Sequence, residues 1–482
     1  MFEQTVIMEE NIIEPVVGNN LEQHFHVFNP ATGRVIGSAP NITSKELDIK
    51  IKQAEKAFTV WSKTTVDHRS QILLKWSTLI KKNRDNLSYS LTAEQGKPIS
   101  ESVRELQHAC SYIEWFAEEI KRSNGTILPS HDLNTQLQVK QVPVGLGCAI
   151  TPWNFPAAMV ARKVAPALAA GCGVLLKPSE ETPLIALALA KLAYQAGIPE
   201  ALLPVITCTR KDAHWVGKRL TQHASIRKVS FTGSTKVGTQ INIQAAAGLK
   251  KVSMELGGNA PFIVFEDADI DHAIEQLMKA KFRNAGQVCV APNRVLVQQS
   301  IHDEFIDKLW KKMSELSIGN GIDEVDLGPL INLPAVEKCE KHIHDALQKG
   351  AKLYSGGKSM DLGLCFFEPT ILTNVTMDML CANEETFGPI VSILSFEHES
   401  SAIEIANNTP YGLAGYFFTD SRQRIRRVSS ALEVGMLGEN TATLSSVRAP
   451  FGGVKASGIG REGGEMGLSE WQETQYHCIY SH

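Results

Sequence analysis

The feature that most constrains the fold is a regular alternation of short apolar runs with stretches of helical period, which begins at Gly147. The apolar runs are residues 148–151, 173–177, 204–207, 227–232 and 251–256, and the helical stretches between them are centred near Ala165, Ala188, Val216 and Ile241. A chain that alternates in this way builds a parallel sheet with helices on both faces. We therefore predict an α/β fold, an architecture that binds nucleotides in many proteins but does not by itself prove a ligand.

A second alternating set begins with residues 262–265, continues through a helix over 269–284 and repeats to about Gly438. It predicts a second α/β domain after the first. Before both, residues 137–144 alternate as in an exposed two-stranded ribbon. A ribbon with no partner in its own domain is marginal, so we expect it to pair with another element or another subunit.

The segment that precedes the ribbon is predicted to be helical. Apolar residues recur there at helical spacing over 44–61, 72–91 and 103–120. Thr43 opens the first of these helices with a capping box, and Asn124-Gly125 marks the end of the third.

Composition and charge limit the possible partners. The formal net charge is -4, the basic residues are scattered and the pI is about 6.4, which excludes nucleic acid as a main partner. The apolar stretch 149–177 is interrupted by Arg162, Lys163 and prolines, so it is not expected to cross a membrane. The first residues lack a basic targeting region, and we expect a cytoplasmic protein.

The cysteines do not suggest a disulfide framework or a metal site. There are nine of them, none in a Cys-x-x-Cys pair, which fits reduced thiols. Cys339, His342 and His344 are the nearest approach to a metal cluster, but on a helix only the first two share a face. We expect these three residues to lie on solvated helix surface and to bind no metal.

Three residues supply the groups that a thiol needs to attack a carbonyl. Cys289 in Gly286-Gln-Val-Cys is a candidate nucleophile, and Glu255 in Glu255-Leu-Gly-Gly is a candidate base. Asn154 in Pro152-Trp-Asn-Phe-Pro is a candidate donor to the oxygen that becomes negative. Taken singly each match is weak, because a lone cysteine is more often a small buried hydrophobic residue.

Two further segments suggest a dinucleotide site. The turn from Thr232 to Gly238 opens a helix, whose first backbone N–H groups can bind a pyrophosphate, although such turns also serve only to pack helix on sheet. Lys177-Pro-Ser-Glu180 follows a predicted strand, where open α/β sheets bind their ligands. There Lys177 and Glu180 can hydrogen-bond ribose hydroxyls, or can form an exposed ion pair.

These segments together resemble the aldehyde dehydrogenases. The shared motifs occur in one order and are Pro152-Trp-Asn-Phe-Pro, Lys177-Pro-Ser-Glu, Phe231-Thr-Gly-Ser, Glu255-Leu-Gly-Gly, Gly286-Gln-Val-Cys, Glu384-Glu-Thr-Phe-Gly-Pro and Pro450-Phe-Gly-Gly. The resemblance extends from about Asn29 to Tyr480 and leaves the residues before Phe28 without an assigned role.

The resemblance implies two Rossmann-type parallel-sheet domains and a small β-ribbon for oligomerisation. The implied parts are a dinucleotide-binding domain over 1–130 and 149–256, a catalytic domain over 257–440, and a ribbon with a C-terminal tail over 131–148 and 441–482. A homo-oligomer, dimer or tetramer, is implied with them.

The resemblance also implies the chemistry. Cys289 attacks the aldehyde, the Asn154 amide and the Cys289 backbone N–H hold the oxyanion of the thiohemiacetal, and Glu255 activates water against the later thioester. The residues implied to bind the cofactor are Thr151, Pro152, Trp153, Lys177, Ser179, Glu180, Gly233, Ser234, Leu256, Glu385 and Phe387. NAD is the expected cofactor because a 2′-phosphate near Glu180 would be repelled, by about 4 kcal/mol at about 4 Å and an effective dielectric of about 20. Lys177 could offset part of that repulsion, so NADP stays possible.

Within the family, the wording around residues 92–98, 113–119 and 281–284 is similar to succinate-semialdehyde dehydrogenases. In that subfamily two arginines and a serine hold the substrate carboxylate, and the matching positions are Arg162, Arg283 and Ser445. Glutarate semialdehyde or a broader aldehyde range is the alternative, since one methylene is worth only about 1–3 kcal/mol in a pocket. The second cysteine that some relatives use as a redox switch is Ala291 here, so no such internal disulfide is expected.

Other classes of function are less compatible with these residues. A non-enzymatic protein of the same fold would be expected to lack the cysteine, the glutamate or the asparagine, and all three are present. A thiol hydrolase without a cofactor would need a histidine partner, and the matched motifs contain none.

Overall fold

The structure is a computed structural model that describes residues 23–480. Residues 1–22, which carry the targeting argument, and residues 481–482 lie outside the described part. The α-helices are α1 Ser44–Trp61, α2 Val66–Lys82, α3 Arg84–Gln95, α4 Ile99–Glu119, α5 Pro156–Ala170, α6 Pro183–Ala196, α7 Ala213–Gln222, α8 Thr235–Ala246, α9 Ile270–Lys281, α10 His302–Met313, α11 Leu333–Gln348, α12 Leu380–Asn383, α13 Glu399–Asn407, α14 Arg422–Ala431 and α15 Gly464–Ser469. The strands are β1 His24–Phe28, β2 Val35–Pro40, β3 Thr126–Leu128, β4 Thr135–Pro143, β5 Leu146–Ile150, β6 Gly173–Lys177, β7 Ile226–Thr232, β8 Lys251–Glu255, β9 Ala260–Val264, β10 Pro292–Gln298, β11 Lys352–Ser355, β12 Thr370–Thr373, β13 Ile390–Phe396, β14 Tyr411–Gly412, β15 Ala414–Phe418, β16 Met436–Glu439, β17 Val454–Lys455, β18 Gly458–Ile459 and β19 Gln472–Tyr480.

The first sheet confirms the predicted alternation of strands and helices. Its five strands run in the order β18-β8-β7-β5-β6, parallel except for β18 at the edge. One predicted strand is wrong: residues 204–207 contribute only a single bridge, between Val205 and Leu176. One apolar core contains residues of α2, α4, α5 and α6, and another contains residues of α1, α7 and α8. Helices therefore cover both faces of the sheet.

The second sheet has seven strands in the order β11-β12-β13-β10-β9-β15-β16. Its strands are parallel except for the edge pair β11 and β12, which is antiparallel. The prediction of a second α/β unit is thus confirmed. An apolar core of buried residues packs around this second sheet.

The early helices differ from the prediction at one break. The capping box at Thr43 is present, with the Glu46 carboxylate accepting from the Thr43 backbone, and α1 runs to Trp61 as expected. The single helix predicted over 72–91 is instead α2 and α3, separated at Asn83. The Asn83 amide donates to the carbonyl of Leu79 at 2.8 Å, and such a local hydrogen bond offers the backbone an alternative to the helix.

The ribbon finds its partners within the same chain. β4 lies in the middle of a three-stranded antiparallel sheet, between β3 and β19. Only the last part of the expected tail joins this sheet. Leu468 and Trp471, which precede β19, are buried in the apolar core of the first sheet.

The expectation of solvated surface at Cys339, His342 and His344 is wrong for two of the three residues. Cys339 and His342 are fully buried, and the Nδ1 atom of His342 lies 3.2 Å from Thr386 Oγ1. His344 alone is exposed. The apolar neighbours of α11 within the second core account for the burial.

No helix between residues 23 and 480 is both long enough and apolar enough to cross a membrane.

Candidate active site

A cavity of about 1000 Å³ brings together residues from both sheets. The predicted site residues that line it are Pro152, Trp153, Asn154, Arg162, Gly233, Ser234, Leu256, Arg283, Cys289, Glu385, Phe387 and Ser445. Those not on its wall are Thr151, Lys177, Ser179, Glu180 and Glu255. Residues from motifs nearly 300 positions apart therefore meet around one space, with the thiol on its wall.

The backbone before Cys289 adopts a conformation that L-residues seldom take. Asn284, Ala285 and Gly286 have φ of 49°, 52° and 78° in succession. Strained backbone of this kind clusters at functional sites, where the surrounding structure holds it. A Cβ on Gly286 would lie 2.2 Å from the carbonyl oxygen of Gly388, so glycine is required by space as well as by φ. The Gly286-Gln-Val-Cys motif and the Glu384-Glu-Thr-Phe-Gly-Pro motif thus pack directly on one another.

The surroundings of Cys289 keep its thiol protonated. Burial raises its pKa to about 12, and the nearby Arg162 guanidinium offsets only part of the effect. A Cβ on Gly258 would lie 2.6 Å from the carbonyl oxygen of Cys289. The close approach of these two segments therefore requires glycine at position 258, three residues after Glu255.

Asn154 is held from several sides. Its side-chain Nδ2 donates to the backbone carbonyl of Gln287 at 3.0 Å, two residues before the nucleophile. The backbone carbonyl of Asn154 accepts from Lys97 Nζ at 2.6 Å and from Asn284 Nδ2 at 3.0 Å. The amide is therefore fixed beside the Cys289 loop, as a preorganised donor requires.

A buried ion pair behind Asn154 was missed by the sequence reasoning. Lys97 Nζ lies 2.5 Å from Glu105 Oε2, and both side chains are nearly inaccessible to solvent. The other Glu105 oxygen accepts from the N–H groups of Ala157 and Ala158, at the start of α5. Lys97 belongs to the 92–98 stretch that was used only to choose a subfamily, and nothing in the stretch itself indicated burial.

Glu255 is a buried carboxyl without a hydrogen-bond partner among the described residues. Burial raises its pKa well above the ordinary value, and the neighbouring carboxylate of Glu462 raises it further. A Cβ on Gly452 would lie 2.8 Å from Glu255 Oε1, so the Pro450-Phe-Gly-Gly motif leaves room for this carboxyl. A carboxyl with a raised pKa can exchange protons near neutral pH.

Glu462 carries the negative charge of this region. Burial alone would raise its pKa, but Lys163 and Arg162 outweigh burial and lower it. Its carboxylate is ion-paired with Lys163 and lies 2.8 Å from Arg162 Nε. The Arg162 N–H does not point at the oxygen, so that contact is an ion pair without a hydrogen bond. Sequence reasoning missed Glu462, which no matched motif contains.

One end of the cavity has the features of a dinucleotide site. Gly233 and Ser234 line it at the N-terminus of α8, and a Cβ on Gly233 would lie 2.5 Å from the Phe231 ring. Thr232 also lines this end, although its Oγ1 is buried and has no hydrogen-bond partner among the described residues. The N-terminus of a helix fits a pyrophosphate.

Glu385 is also placed at this end. Burial raises its pKa to about 7, and the backbone N–H of Gly258 donates to its carboxyl at 3.2 Å. The rings of Trp153 and Phe387 meet edge to face at 5.5 Å on the cavity wall. A carboxyl and two rings can bind the ribose and the flat base of a nicotinamide nucleoside.

Lys177 ends β6, Ser179 and Glu180 follow the strand, and none of the three lies on the cavity wall. Lys177 is buried and donates to the carbonyl of Pro178 at 3.2 Å, while Glu180 is half-buried. The next residue, Glu181, accepts from Asn332 Nδ2 at 2.8 Å. Two consecutive carboxyl groups therefore stand where the strand ends.

The other end of the cavity is rich in cationic side chains. Arg283 is exposed, and no carboxylate among the described residues lies within ion-pair distance of it. Its guanidinium lies 5.1 Å from the centroid of the Phe155 ring. Arg162 is instead buried, and its guanidinium lies over the Phe451 ring at 4.2 Å. Arg283 is the cation more available to an anionic ligand.

Several wall residues at this end were not predicted from the sequence. They are Glu101, Arg104, His108 and Tyr416. Glu101, Arg104 and His108 lie on α4 at helical spacing. The sequence predicted that helix, but it did not predict that these side chains face a cavity.

Comparison with known proteins agrees with this geometry. The model of the aldehyde dehydrogenase family matches residues 16–477. A glutarate-semialdehyde dehydrogenase of Pseudomonas aeruginosa is 47% identical over 458 residues, 95% of this chain and 94% of the relative. An NADP(+) succinate-semialdehyde dehydrogenase of Escherichia coli is 48% identical over 454 residues, 94% of each chain. The crystal structure of a succinate-semialdehyde dehydrogenase from Burkholderia pseudomallei superposes with a TM-score of 0.93 at 48% identity, over 95% of this chain and 94% of that one.

Proposed function

The chain belongs to the aldehyde dehydrogenase family, and from that premise we propose that it oxidises a short aldehyde with a carboxylate at its far end, succinate semialdehyde above all. The observation that carries this proposal is the placement of Cys289 and Arg283 on the wall of one cavity. A thiol there can attack the aldehyde while the guanidinium binds the carboxylate, for which its planar fork is suited. The names of relatives at 47–48% identity support the same substrate class.

Cys289 is the proposed nucleophile. Its sulfur forms a bond to the aldehyde carbon, and the resulting oxyanion accepts hydrogen bonds from the Asn154 amide and the Cys289 backbone N–H. The thiol gives its proton to solvent in this step, and Arg162 is the nearby charge that favours the thiolate. Glu255 is the proposed base that takes a proton from the water that cleaves the later thioester.

The dinucleotide end of the cavity fits a nicotinamide cofactor. Ser234 and Gly233 would hold the pyrophosphate at the α8 N-terminus, and Glu385 would hold a ribose. The chemistry that a bound nicotinamide supplies is acceptance of the hydride from the aldehyde carbon. Trp153 and Phe387 would keep water away from that end.

The finer proposal is a preference for NAD. Glu180 and Glu181 place two carboxyl groups at the end of β6, where a 2′-phosphate would be repelled. Two observations favour NADP instead. Arg210 is a cation on the cavity wall, and the name of the Escherichia coli relative includes NADP(+). Comparing kcat/KM with each dinucleotide tests the preference, and better use of the phosphorylated form would overturn it. Glu180→Ser should narrow the difference.

Glutarate semialdehyde is the second candidate substrate, favoured by the name of the Pseudomonas aeruginosa relative. The cavity of about 1000 Å³ leaves room for the extra methylene. Relative kcat/KM values for the two semialdehydes decide between them, and we expect a difference of about 10–200-fold at most.

The substrate class is tested with Arg283→Ala. Because Arg283 is exposed, we expect a loss near the lower end of the range for a truncated charge pair, about 2 kcal/mol, or about 30-fold in kcat/KM for succinate semialdehyde. Butanal has the same length without the charge, so its lower kcat/KM should change little. Arg422→Ala removes an exposed arginine outside the cavity and is the matched control. Equal losses on both aldehydes would make Arg283 structural, and no loss on either would place the carboxylate elsewhere.

A further inference from the structure

His108 is a hydrogen-bond partner of Ser445, the serine of the proposed carboxylate site. Glu101, Arg104, Glu105 and His108 recur at helical spacing on α4, and all four line the cavity. The Nε2 atom of His108 lies 3.1 Å from the hydroxyl oxygen of Ser445. The helix and the loop that carries Ser445 therefore meet at the cationic end of the cavity, where the Tyr112 hydroxyl of α4 also lies beside Ser445.

The orientation of the His108 ring is determined by packing. One turn further along α4, the fully buried Tyr112 ring meets it edge to face, with 4.8 Å between centroids and 70° between planes. Tyr112 is itself stacked on Phe116 at 6.4 Å. The ring direction is thus set by the apolar core, and Nε2 is aimed at the loop.

The charges around His108 keep it neutral. Burial, together with the guanidinium groups of Arg162 on α5 and Arg283 after α9, lowers its pKa to about 4. On its own helix, the ring contacts Tyr112, and the loop opposite presents Ser445. A neutral imidazole has one donor nitrogen and one acceptor nitrogen.

The tautomer decides what Ser445 can offer to an anion. If Nε2 accepts, the hydroxyl proton of Ser445 points at His108 and its lone pairs face the cavity, which repels a carboxylate. If Nε2–H donates to the hydroxyl oxygen, the proton of Ser445 is free to point into the cavity. An anion accepts hydrogen bonds and so favours the second arrangement.

We propose that His108 is a positioning residue for anionic aldehydes, which donates to Ser445 and so directs the serine hydroxyl proton at the substrate carboxylate. The inference rests on the proposed function and adds to it a residue outside the expected set of Arg162, Arg283 and Ser445. It acts on the binding of the anionic end, away from the aldehyde carbon.

The test compares succinate semialdehyde with butanal in a set of variants. His108→Phe keeps a ring against Tyr112 but removes the donor, and we expect the KM for succinate semialdehyde to rise at least about tenfold, the effect of one lost hydrogen bond to a charged group. kcat for both aldehydes and KM for butanal should stay within about twofold of the wild-type values, because the lost hydrogen bond acts only on the binding of the anionic end. His108→Gln places an amide N–H near the position of Nε2 and should recover most of the loss.

A double-mutant cycle shows whether His108 acts through Ser445. Ser445→Ala should raise the same KM, and adding His108→Phe to it should cost little more, because the two residues act as one unit. Ser446→Ala changes the adjacent exposed serine and is the matched control.

The outcomes separate the two levels of the proposal. Additive losses, equal losses on both aldehydes, no recovery in His108→Gln or no change in KM would overturn the role of His108 while leaving the substrate class intact. A wild-type protein that uses butanal as well as succinate semialdehyde would overturn the proposed function, and with it this inference.

Discussion

The thiol of Cys289 shows how burial sets the resting state of a nucleophile. A pKa of about 12 leaves about one thiolate in 10⁵ at pH 7. Alkylation of Cys289 by iodoacetamide should therefore be slow in the ligand-free protein and rise about tenfold for each pH unit between 7 and 9. Mass spectrometry of the modified peptides measures the rate, with free cysteine alkylated under the same conditions as the reference. A fast reaction that hardly depends on pH would contradict the protonated state.

Replacement of the same residue tests its role in turnover. Cys289→Ala should abolish dehydrogenase activity, because no other group on the cavity wall replaces the sulfur in the bond to the aldehyde carbon. Cofactor binding, followed by fluorescence quenching, and the thermal unfolding midpoint should be unchanged. Cys478→Ala is the control, since that thiol is exposed on β19. Substantial residual turnover in the Cys289 variant would assign the nucleophile elsewhere.

Glu255 allows the two halves of the reaction to be separated. Glu255→Gln should give a burst of reduced cofactor followed by a steady rate lower by at least about 100-fold, because the base is needed only for hydrolysis. The raised pKa fixes the sign of the pH dependence: the base is active when ionised, so the wild-type hydrolysis rate should rise with pH, and the rate of the variant should not. Stopped-flow absorbance at 340 nm measures both phases. An unchanged steady rate would reassign the base.

At the scale of elements, the loop before Cys289 depends on a glycine that the chain cannot replace. Gly286→Ala puts a Cβ 2.2 Å from the Gly388 carbonyl oxygen at φ 78°, so we expect the unfolding free energy to fall by about 1–3 kcal/mol and kcat to fall with it. Gly217→Ala is the matched control, because nothing lies within 4 Å of its Cβ in the middle of α7. That variant should gain about 0.5–1 kcal/mol with normal activity. Chemical denaturation and initial rates measure both, and an active, stable Gly286→Ala would contradict the packing argument.

The elements predicted well from sequence are those with a local cause. The capping box at Thr43 marks α1, and the apolar runs mark β5, β6, β7 and β8, because each signal lies within the element itself. The break at Asn83 was missed, since the hydrophobic period continues through it while Asn83 itself leaves the helical conformation, with φ -102° and ψ 16°. Residues 204–207 have strand composition but form only one bridge to β6.

The site was predicted as far as the family motifs reach. Cys289, Asn154 and Arg283 line one cavity, as the motifs implied. The Lys97 and Glu105 pair and the position of Glu462 depend on contacts between residues far apart in sequence, which spacing cannot reveal. The roles of all these residues and the domain boundaries remain predictions.

At the scale of the whole molecule, the ribbon sheet offers a surface for a second copy. β19 is a nine-residue edge strand, and the exposed fractions of Tyr476 and Ile479 on it are 57% and 37%. Exposed edges with apolar side chains tend to pair with another chain, so we expect a homo-oligomer, dimer or tetramer, that includes this sheet.

The double variant Tyr476→Lys and Ile479→Lys should reduce the molar mass measured by light scattering after size-exclusion chromatography. Met466→Lys changes an apolar residue of similar exposure on α15, outside the ribbon sheet, and should leave the mass unchanged. If the double variant keeps the wild-type mass, the subunits meet elsewhere.

The ion pair between Lys163 and Glu462 joins residues 299 positions apart. A ribosome adds about 5–20 residues per second, so Glu462 is made about 15–60 seconds after its partner. Until then Arg162 and Lys163 have no counter-charge, and the wall behind Glu255 is unfinished. Once residue 289 has been added, a nascent chain carries the thiol, the amide and the cofactor turn, but it lacks the carboxylate of Glu462 until 173 further residues are made. We therefore expect activity only after the end of the chain has packed on the first sheet, where Glu462 pairs with Lys163.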